Sequence, residues 1–131
     1  MLIRSRENMR QIKDLTGLQM AHGIRPTDID LFLEIDNRIF VIGEMKHVRA
    51  KHQYGQTLAL QRLCDALAAN PGKSAVVFWA QHNEPPNKDI DVASCLVTES
   101  YNHGVITEHT NPITVREFIE TFKRLHTEEF F

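Results

Sequence analysis

The clearest pattern along the chain is an alternation. From Asp28 to Ile35, the residues Ile29, Leu31, Leu33 and Ile35 share one parity, while Asp28, Asp30, Phe32 and Glu34 share the other. That period of two belongs to a half-buried strand. Asp36-Asn37-Arg38 supplies turn chemistry. Ile39-Phe40-Val41-Ile42 follows as an unbroken apolar run, the mark of a strand buried on both faces. The two segments predict a β-hairpin.

Elements on either side follow from the same kind of reading. Met9, Ile12 and Leu15 recur at three-residue steps and predict a first helix over residues 5–15, stopped near Gly17. Leu18 to His22 reads as a short strand before a turn in which Pro26 bars a helix. From about His52 to Ala69 the period becomes helical, with Gln53, Gln56, Leu60, Leu63 and Leu67 on one stripe and Asn70-Pro71-Gly72 at its end. Ser74 to Ala80 predicts a second buried strand, Asn83 to Asn87 a proline-containing loop, and Asp91 to Thr98 another strand. Tyr101 to Thr110 reads as irregular or edge-like. Thr114 and Glu117 form a capping box for a last helix, whose apolar face is Phe118, Ile119, Phe122 and Leu125. No repeat, low-complexity stretch or linker interrupts the chain, and 131 residues suit one domain. The expectation is a single α/β domain over residues 1–131, in the order αβββαβ followed by a strand and a helix.

Composition narrows the class. With 42% hydrophobic and 24% charged residues the balance is that of a globular protein. No apolar run approaches the ~20 residues of a membrane span, and the N-terminus shows no apolar stretch of signal-peptide length. A cytoplasmic protein without membrane contact is expected. Cys64 and Cys95 lie among Leu, Ala and Val with no C-x-x-C, so they read as reduced, buried thiols. The seven histidines do not fall into a zinc-finger spacing. A formal net charge of −2 argues against holding a polyanion by bulk positive charge. The local exception is Lys46-His47-Val48-Arg49-Ala50-Lys51-His52, a run that suits a solvated loop as well as a phosphate-contacting patch.

The chemistry concentrates in the hairpin. If Asp36-Asn37-Arg38 is the turn, Phe32 faces Ile42 and Asp30 faces Glu44. Opposed residues share a side of the sheet, with side chains ~5 Å apart, and Lys46, two residues beyond Glu44, points the same way. Two carboxylates so close repel unless something positive lies between them. Mg²⁺ meets that need with hard oxygen ligands at ~2.1 Å, keeping waters and phosphate oxygens in its other positions. It polarises a phosphoryl oxygen and acidifies a bound water, while Lys46 would stabilise charge on the phosphate or position the water. These are the minimum parts for phosphodiester hydrolysis. The same residues also describe a surface salt bridge at a hairpin end.

The segment Pro26-Thr27-Asp28-Ile29-Asp30, followed by Ile39-Phe40-Val41-Ile42-Gly43-Glu44-Met45-Lys46, resembles the PD-(D/E)XK nuclease superfamily. The interval from Asp30 to Glu44 is close to that of archaeal Holliday-junction resolvases, which also carry Glu-Met-Lys. The resemblance covers roughly residues 5–80 and departs in one place. The family's Pro-Asp is adjacent, whereas here Thr27 intervenes before Asp28 and a second aspartate follows at Asp30; register favours Asp30, with Asp28 as a supporting ligand. What the resemblance implies is a restriction-endonuclease-like αβββαβ core with a central mixed sheet flanked by helices. It also implies Mg²⁺ (or Mn²⁺) held by Asp30, Glu44, Asp28 and, from the first helix, Glu7, although Glu7 lies off that helix's apolar stripe as a surface charge would. Catalysis would fall to Asp30, Glu44, Lys46 and Gln56, the last matching a glutamine that many relatives place about ten residues beyond the lysine, with Gln53 assisting. DNA is the implied partner, contacted by Lys46, His47, Arg49, Lys51 and His52. The expected activity is metal-dependent hydrolysis of DNA phosphodiester bonds by an endonuclease, with an RNA-directed hydrolase as its weaker variant. The alternative is a non-catalytic, nuclease-like module that binds nucleic acid or protein. Junction resolution would need a homodimer, for which Phe130 and Phe131 or the segment Val92 to Val97 would supply the interface.

Overall fold

The computed structural model describes residues 16–24, 26–50 and 54–128, the side chains at 54–56 and 128 excepted. Strands β1 (Leu31–Ile35), β2 (Ile39–His47), β3 (Ser74–His82), β4 (Leu96–Asn102) and β5 (Val105–Thr114) form one sheet with neighbours in chain order. β2 and β3 are parallel and the other pairs antiparallel. Helix α1 (Tyr54–Ala68) is the crossover that a parallel pair requires, and α2 (Val115–Glu128) follows β5. The class is α/β, with a mixed open sheet.

The hairpin has the expected register, Phe32 opposite Ile42 and Ile35 opposite Ile39. Asp36 and Asn37 both adopt left-handed backbone (φ 52° and 57°), and the Arg38 N–H returns to the Ile35 carbonyl at 3.0 Å. Short polar residues tolerate that conformation best, and it matches the twist of the flanking strands. Lys73 then ties the turn to the start of β3, donating to Asn37 Oδ1 at 2.9 Å.

Burial follows parity. Ile39, Val41, Val76, Phe78 and Val97 pack with Val115 and Phe122 of α2 on one face. Phe40, Ile42, Val77, Trp79 and Tyr101 pack with Leu60 and Cys64 of α1 on the other. Successive strand residues alternate between these faces, so Glu44 and Lys46 follow Phe40 and Ile42 to the α1 side. The Tyr101 hydroxyl donates to both carboxylate oxygens of Asp65 at 2.8 Å, fastening α1 to β4. That hydrogen bond, followed by burial, raises the pKa of the phenol.

Several sequence expectations are corrected. Leu18 to His22 is not a strand: two 3-10 turns, Thr16–Leu18 and Ala21–Gly23, occupy this region, and left-handed His22 and Gly23 break any extended run. Two strands rather than three therefore precede α1 among the described residues, and the helix expected over 5–15 lies outside them. In α1 the buried stripe is Leu60, Cys64, Leu67 and Ala68, and Leu63 is turned outward. The segment Asp91 to Thr98 opens with a 3-10 turn, Val92–Ser94, before β4 begins. Within Val92 to Val97, β4 is paired on both sides, with Val97 fully buried and Leu96 exposed; Phe130 and Phe131 lie outside the described residues. Tyr101 to Thr110 is a regular hairpin as far as Glu108, with His103 and Gly104 (φ 52° and 76°) as its two-residue turn, and the pairing is interrupted only from His109. Half of the α2 capping box forms as read, with the Glu117 N–H on Thr114 Oγ1 at 3.2 Å, while the Glu117 carboxylate accepts from the Thr114 hydroxyl rather than from its N–H; Leu125 of the expected apolar face is exposed.

Gly43 is where β2 passes under Phe78. A β-carbon at this position would press on the Phe78 ring, 2.7 Å from Cε2. Gly43→Ala is expected to destabilise the protein by about 1–3 kcal/mol through overpacking, read from urea unfolding. Gly43→Ala with Phe78→Leu should recover part of that loss.

Candidate active site

The β1–β2 ladder ends at Leu31 and Gly43. Asp30 is the next residue back along the chain, and its side chain takes over where the backbone pairing stops: the Met45 N–H donates to Asp30 Oδ2 at 2.9 Å. The Asp30 carboxylate is thereby held against the main chain between Glu44 and Lys46. Glu44 is only 1% exposed, whereas Lys46 is half-buried. One strand across, Trp79 pairs with Glu44 and Gln81 with Lys46. The row through Glu44 continues over Trp79 to Glu99 and Glu108.

A buried carboxylate is costly unless positive charge or hydrogen-bond donors surround it. Two features of the fold supply positive character here. Lys46 shares the face with Glu44. In addition, α1 starts beyond the carboxyl end of β2 and runs back to deliver β3 at Ser74, so its N-terminal end, the positive pole of the helix dipole, lies at this edge of the sheet.

The expected residues are thus distributed unevenly. Asp30, Glu44 and Lys46 fall at adjoining positions at one end of the hairpin. Among the described residues no group of three or more His, Cys, Asp or Glu side chains gathers to hold a metal ion, so the exposed Asp28 does not add a third carboxylate to Asp30 and Glu44. Glu7, Lys51, His52 and Gln53 lie outside the described residues. Gln56 stands one helical turn ahead of Leu60 in α1, with its side chain outside them as well.

His47 ends β2 on the opposite face from Glu44, where it meets its register partner His82 edge to face, ring centroids 5.4 Å apart. Each ring accepts a backbone N–H from two residues ahead: His47 Nδ1 from Arg49 at 3.2 Å and His82 Nδ1 from Glu84 at 3.1 Å. A ring nitrogen that accepts carries no proton, so the proton of each neutral imidazole sits on Nε2. The two rings brace the loops leaving β2 and β3, and Arg49 is positioned through its backbone. Sequence reasoning missed His82 and Trp79. The usable signal was the parallel register: once Ser74 is set beside Ile39, Trp79 falls beside Glu44 and His82 beside His47.

Cys64 and Cys95 are free and buried, as expected. Burial, aided by the charge of Asp65, pushes the Cys64 thiol up from 9.0 to about 12. Burial and Asp91 also raise Cys95. Neither is a thiolate near neutral pH, which removes thiol nucleophiles from the chemistry available here.

No family model, no curated protein and no solved structure matches the chain. No helix among the described residues is long and apolar enough to cross a membrane.

Two outcomes are expected for the thiols. At pH 8, Ellman's reagent should label neither cysteine until the protein is unfolded. Because the folded Cys64 holds its proton to higher pH than an unfolded cysteine, its contribution to stability is complete below pH 9.0 and lost as pH rises towards about 12. Urea midpoints should therefore fall over that interval, and less so in Cys64→Ala.

Proposed function

We propose that this protein is a metal-dependent nuclease that hydrolyses DNA phosphodiester bonds, as an endonuclease related to the PD-(D/E)XK superfamily. The observation that carries the reading is the Asp30 carboxylate, held on the Met45 N–H beside buried Glu44 and Lys46. Supporting it are the hairpin register and a helical crossover to a parallel strand, the ββαβ part of the αβββαβ order.

Asp30 and Glu44 supply hard oxygens from adjacent strands, a donor set that suits Mg²⁺ or Mn²⁺, since such ions complete their shell with water and substrate phosphate. Bound there, the ion would supply Lewis acidity towards the phosphoryl group and acidify a water. The chain's own residues do the rest. Glu44 is fixed by burial, so its carboxylate needs little reorganisation. The Met45 N–H orients Asp30. The Lys46 ammonium takes up charge developing on the non-bridging phosphate oxygens, and the N-terminal end of α1 adds to the same field. Arg49, just past β2, is placed to contact a flanking phosphate without reading sequence.

One observation favours a second reading. The Asp30–Met45 bond also serves as the last rung of the hairpin, which is a purely structural task, and a nuclease-like module that binds nucleic acid without cutting it would keep it. Calorimetry with Mg²⁺ and Mn²⁺ separates the two, because such a module would show no divalent-ion binding.

The direct test is incubation with Mg²⁺ or Mn²⁺ and linear, circular, single-stranded and branched DNAs. Cleavage is expected, abolished by chelator and reduced roughly 10²–10³-fold by Glu44→Ala or Lys46→Ala, with circular dichroism unchanged. Full cleavage by both variants would remove the proposal.

A further inference from the structure

The β-ladder breaks on both sides of Thr98. Between β3 and β4 the register shifts at Trp79/Ala80, and between β4 and β5 it shifts again from Val97–Ile113 to Glu99–Glu108, so that His109–Pro112 are looped out opposite Thr98. Thr98 Oγ1 donates to the Trp79 carbonyl at 3.3 Å, replacing a bond the ladder has lost. Bulges of this kind re-aim side chains and recur next to functional sites. Here the break opens a cavity of about 380 Å³ at the carboxyl ends of β2 and β3, with Thr98 and Pro112 in its wall.

The cavity has a definite character. Val48, Ile90, Leu96 and Pro112 give apolar surface, and the carboxylates of Glu84 and Asp91 give hydrogen-bond acceptors. Asp91 is oriented by Ser94, whose hydroxyl donates to Asp91 Oδ2 at 2.9 Å. Small-ligand sites span roughly 300–1,000 Å³ and combine apolar walls with a few placed polar groups. This one is at the lower end, the scale of a single flat ring system rather than a chain of them. His82 also lines it, with its proton on Nε2 because Nδ1 accepts the Glu84 N–H. Gln81, another lining residue, is the register neighbour of Lys46, which puts the cavity at the same carboxyl edge of the sheet as the candidate active site, around the edge from it on the other face.

We infer that this cavity is a subsite for one unpaired nucleotide, with its base inside and its phosphate at the His82 Nε2–H. The inference rests on the nuclease reading for its place in the reaction, and it supplies what that reading lacks, a preference for DNA with an unstacked base a nucleotide or so from the scissile phosphate, reached around the carboxyl edge of the sheet. Enzymes acting on extruded or single-stranded nucleotides read the exposed Watson–Crick edge in such a pocket. Carboxylate acceptors match the amino and imino donors of guanine and the amino group of cytosine. Thymine offers one imino donor flanked by two carbonyls, which face those carboxylates unfavourably.

The experiment is a titration of the full chain, in chelator, with dGMP, dCMP and dTMP, followed by amide chemical shifts. Saturable binding is expected, with shifts centred on His82, Asp91, Ser94 and Thr98. dGMP and dCMP should bind on the order of tenfold more tightly than dTMP, a difference of about 1.4 kcal/mol. Ser94→Trp, which places an indole in the cavity, should abolish binding. Ser94→Ala, which removes the bond that orients Asp91 but fills nothing, should weaken binding without abolishing it, and Glu44→Ala should leave it unchanged, because the subsite needs neither metal nor cleavage. Absence of saturable binding, or binding indifferent to Ser94→Trp in a folded variant, overturns the inference. DNA cleavage without mononucleotide binding would sink the subsite and leave the nuclease reading standing. Mononucleotide binding by a protein that cleaves nothing would do the reverse.

Discussion

Taking a carboxylate out of water costs several kcal/mol unless the surroundings compensate, and Glu44 is buried almost completely as the last residue of the buried run of β2. The organisation of this edge follows from that constraint. β2 has a hydrogen-bonded neighbour on either side and a helix packed over each face. Parity then dictates that Glu44 emerges on the side of α1, together with Lys46. The crossover that makes β3 parallel to β2 also carries the positive end of α1 to this edge. Asp30 is set by a different device, a side chain standing in for a missing backbone partner.

The carboxyl ends of β2 and β3 gather two kinds of chemistry on opposite faces. On the α1 side lie the carboxylates and the lysine. Across the sheet, His47 and His82 brace their loops, and His82 borders the cavity opened at Thr98. Open α/β sheets concentrate ligand sites at this edge, because loops there leave neighbouring strands and diverge. The parallel pair matters for a simple reason: only parallel strands send both their outgoing loops to the same end.

Elements with a buried face were legible in the sequence. Ile39 to Ile42 and Ser74 to Ala80 could be nothing but central strands, and Asp36-Asn37 fixed a register that put Asp30 opposite Glu44. Where the structure departs from expectation, the hydrophobic signal was missing or misleading. β5 is almost wholly exposed, so Thr107, Glu108 and Thr110 alternate nothing apolar, and only His103-Gly104 betrayed the turn. Leu18 and Met20 supplied apolar letters to a strand that does not exist, because neither is covered. In α1, Leu63 and Cys64 competed for the same stripe, and the less obviously hydrophobic residue is the one inside. The neighbouring positions of Asp30 and Glu44 were legible because hairpin register is short-range; the placement of Trp79 beside Glu44 and of His82 beside His47 was not, because it depends on a parallel pairing closed across a helix.

An open sheet has two bordering strands, and an unpaired border is a template on which other chains can add. In β5 that template is spoiled. Pro112 presents no N–H, and the looped-out stretch before it dislocates the pleat. Only the first few residues beyond Gly104 remain straight enough to accept a visitor, too few to nucleate a stack. The irregularity that borders the cavity therefore also breaks the template along the molecule's flank, so that a single defect in the weave shapes both.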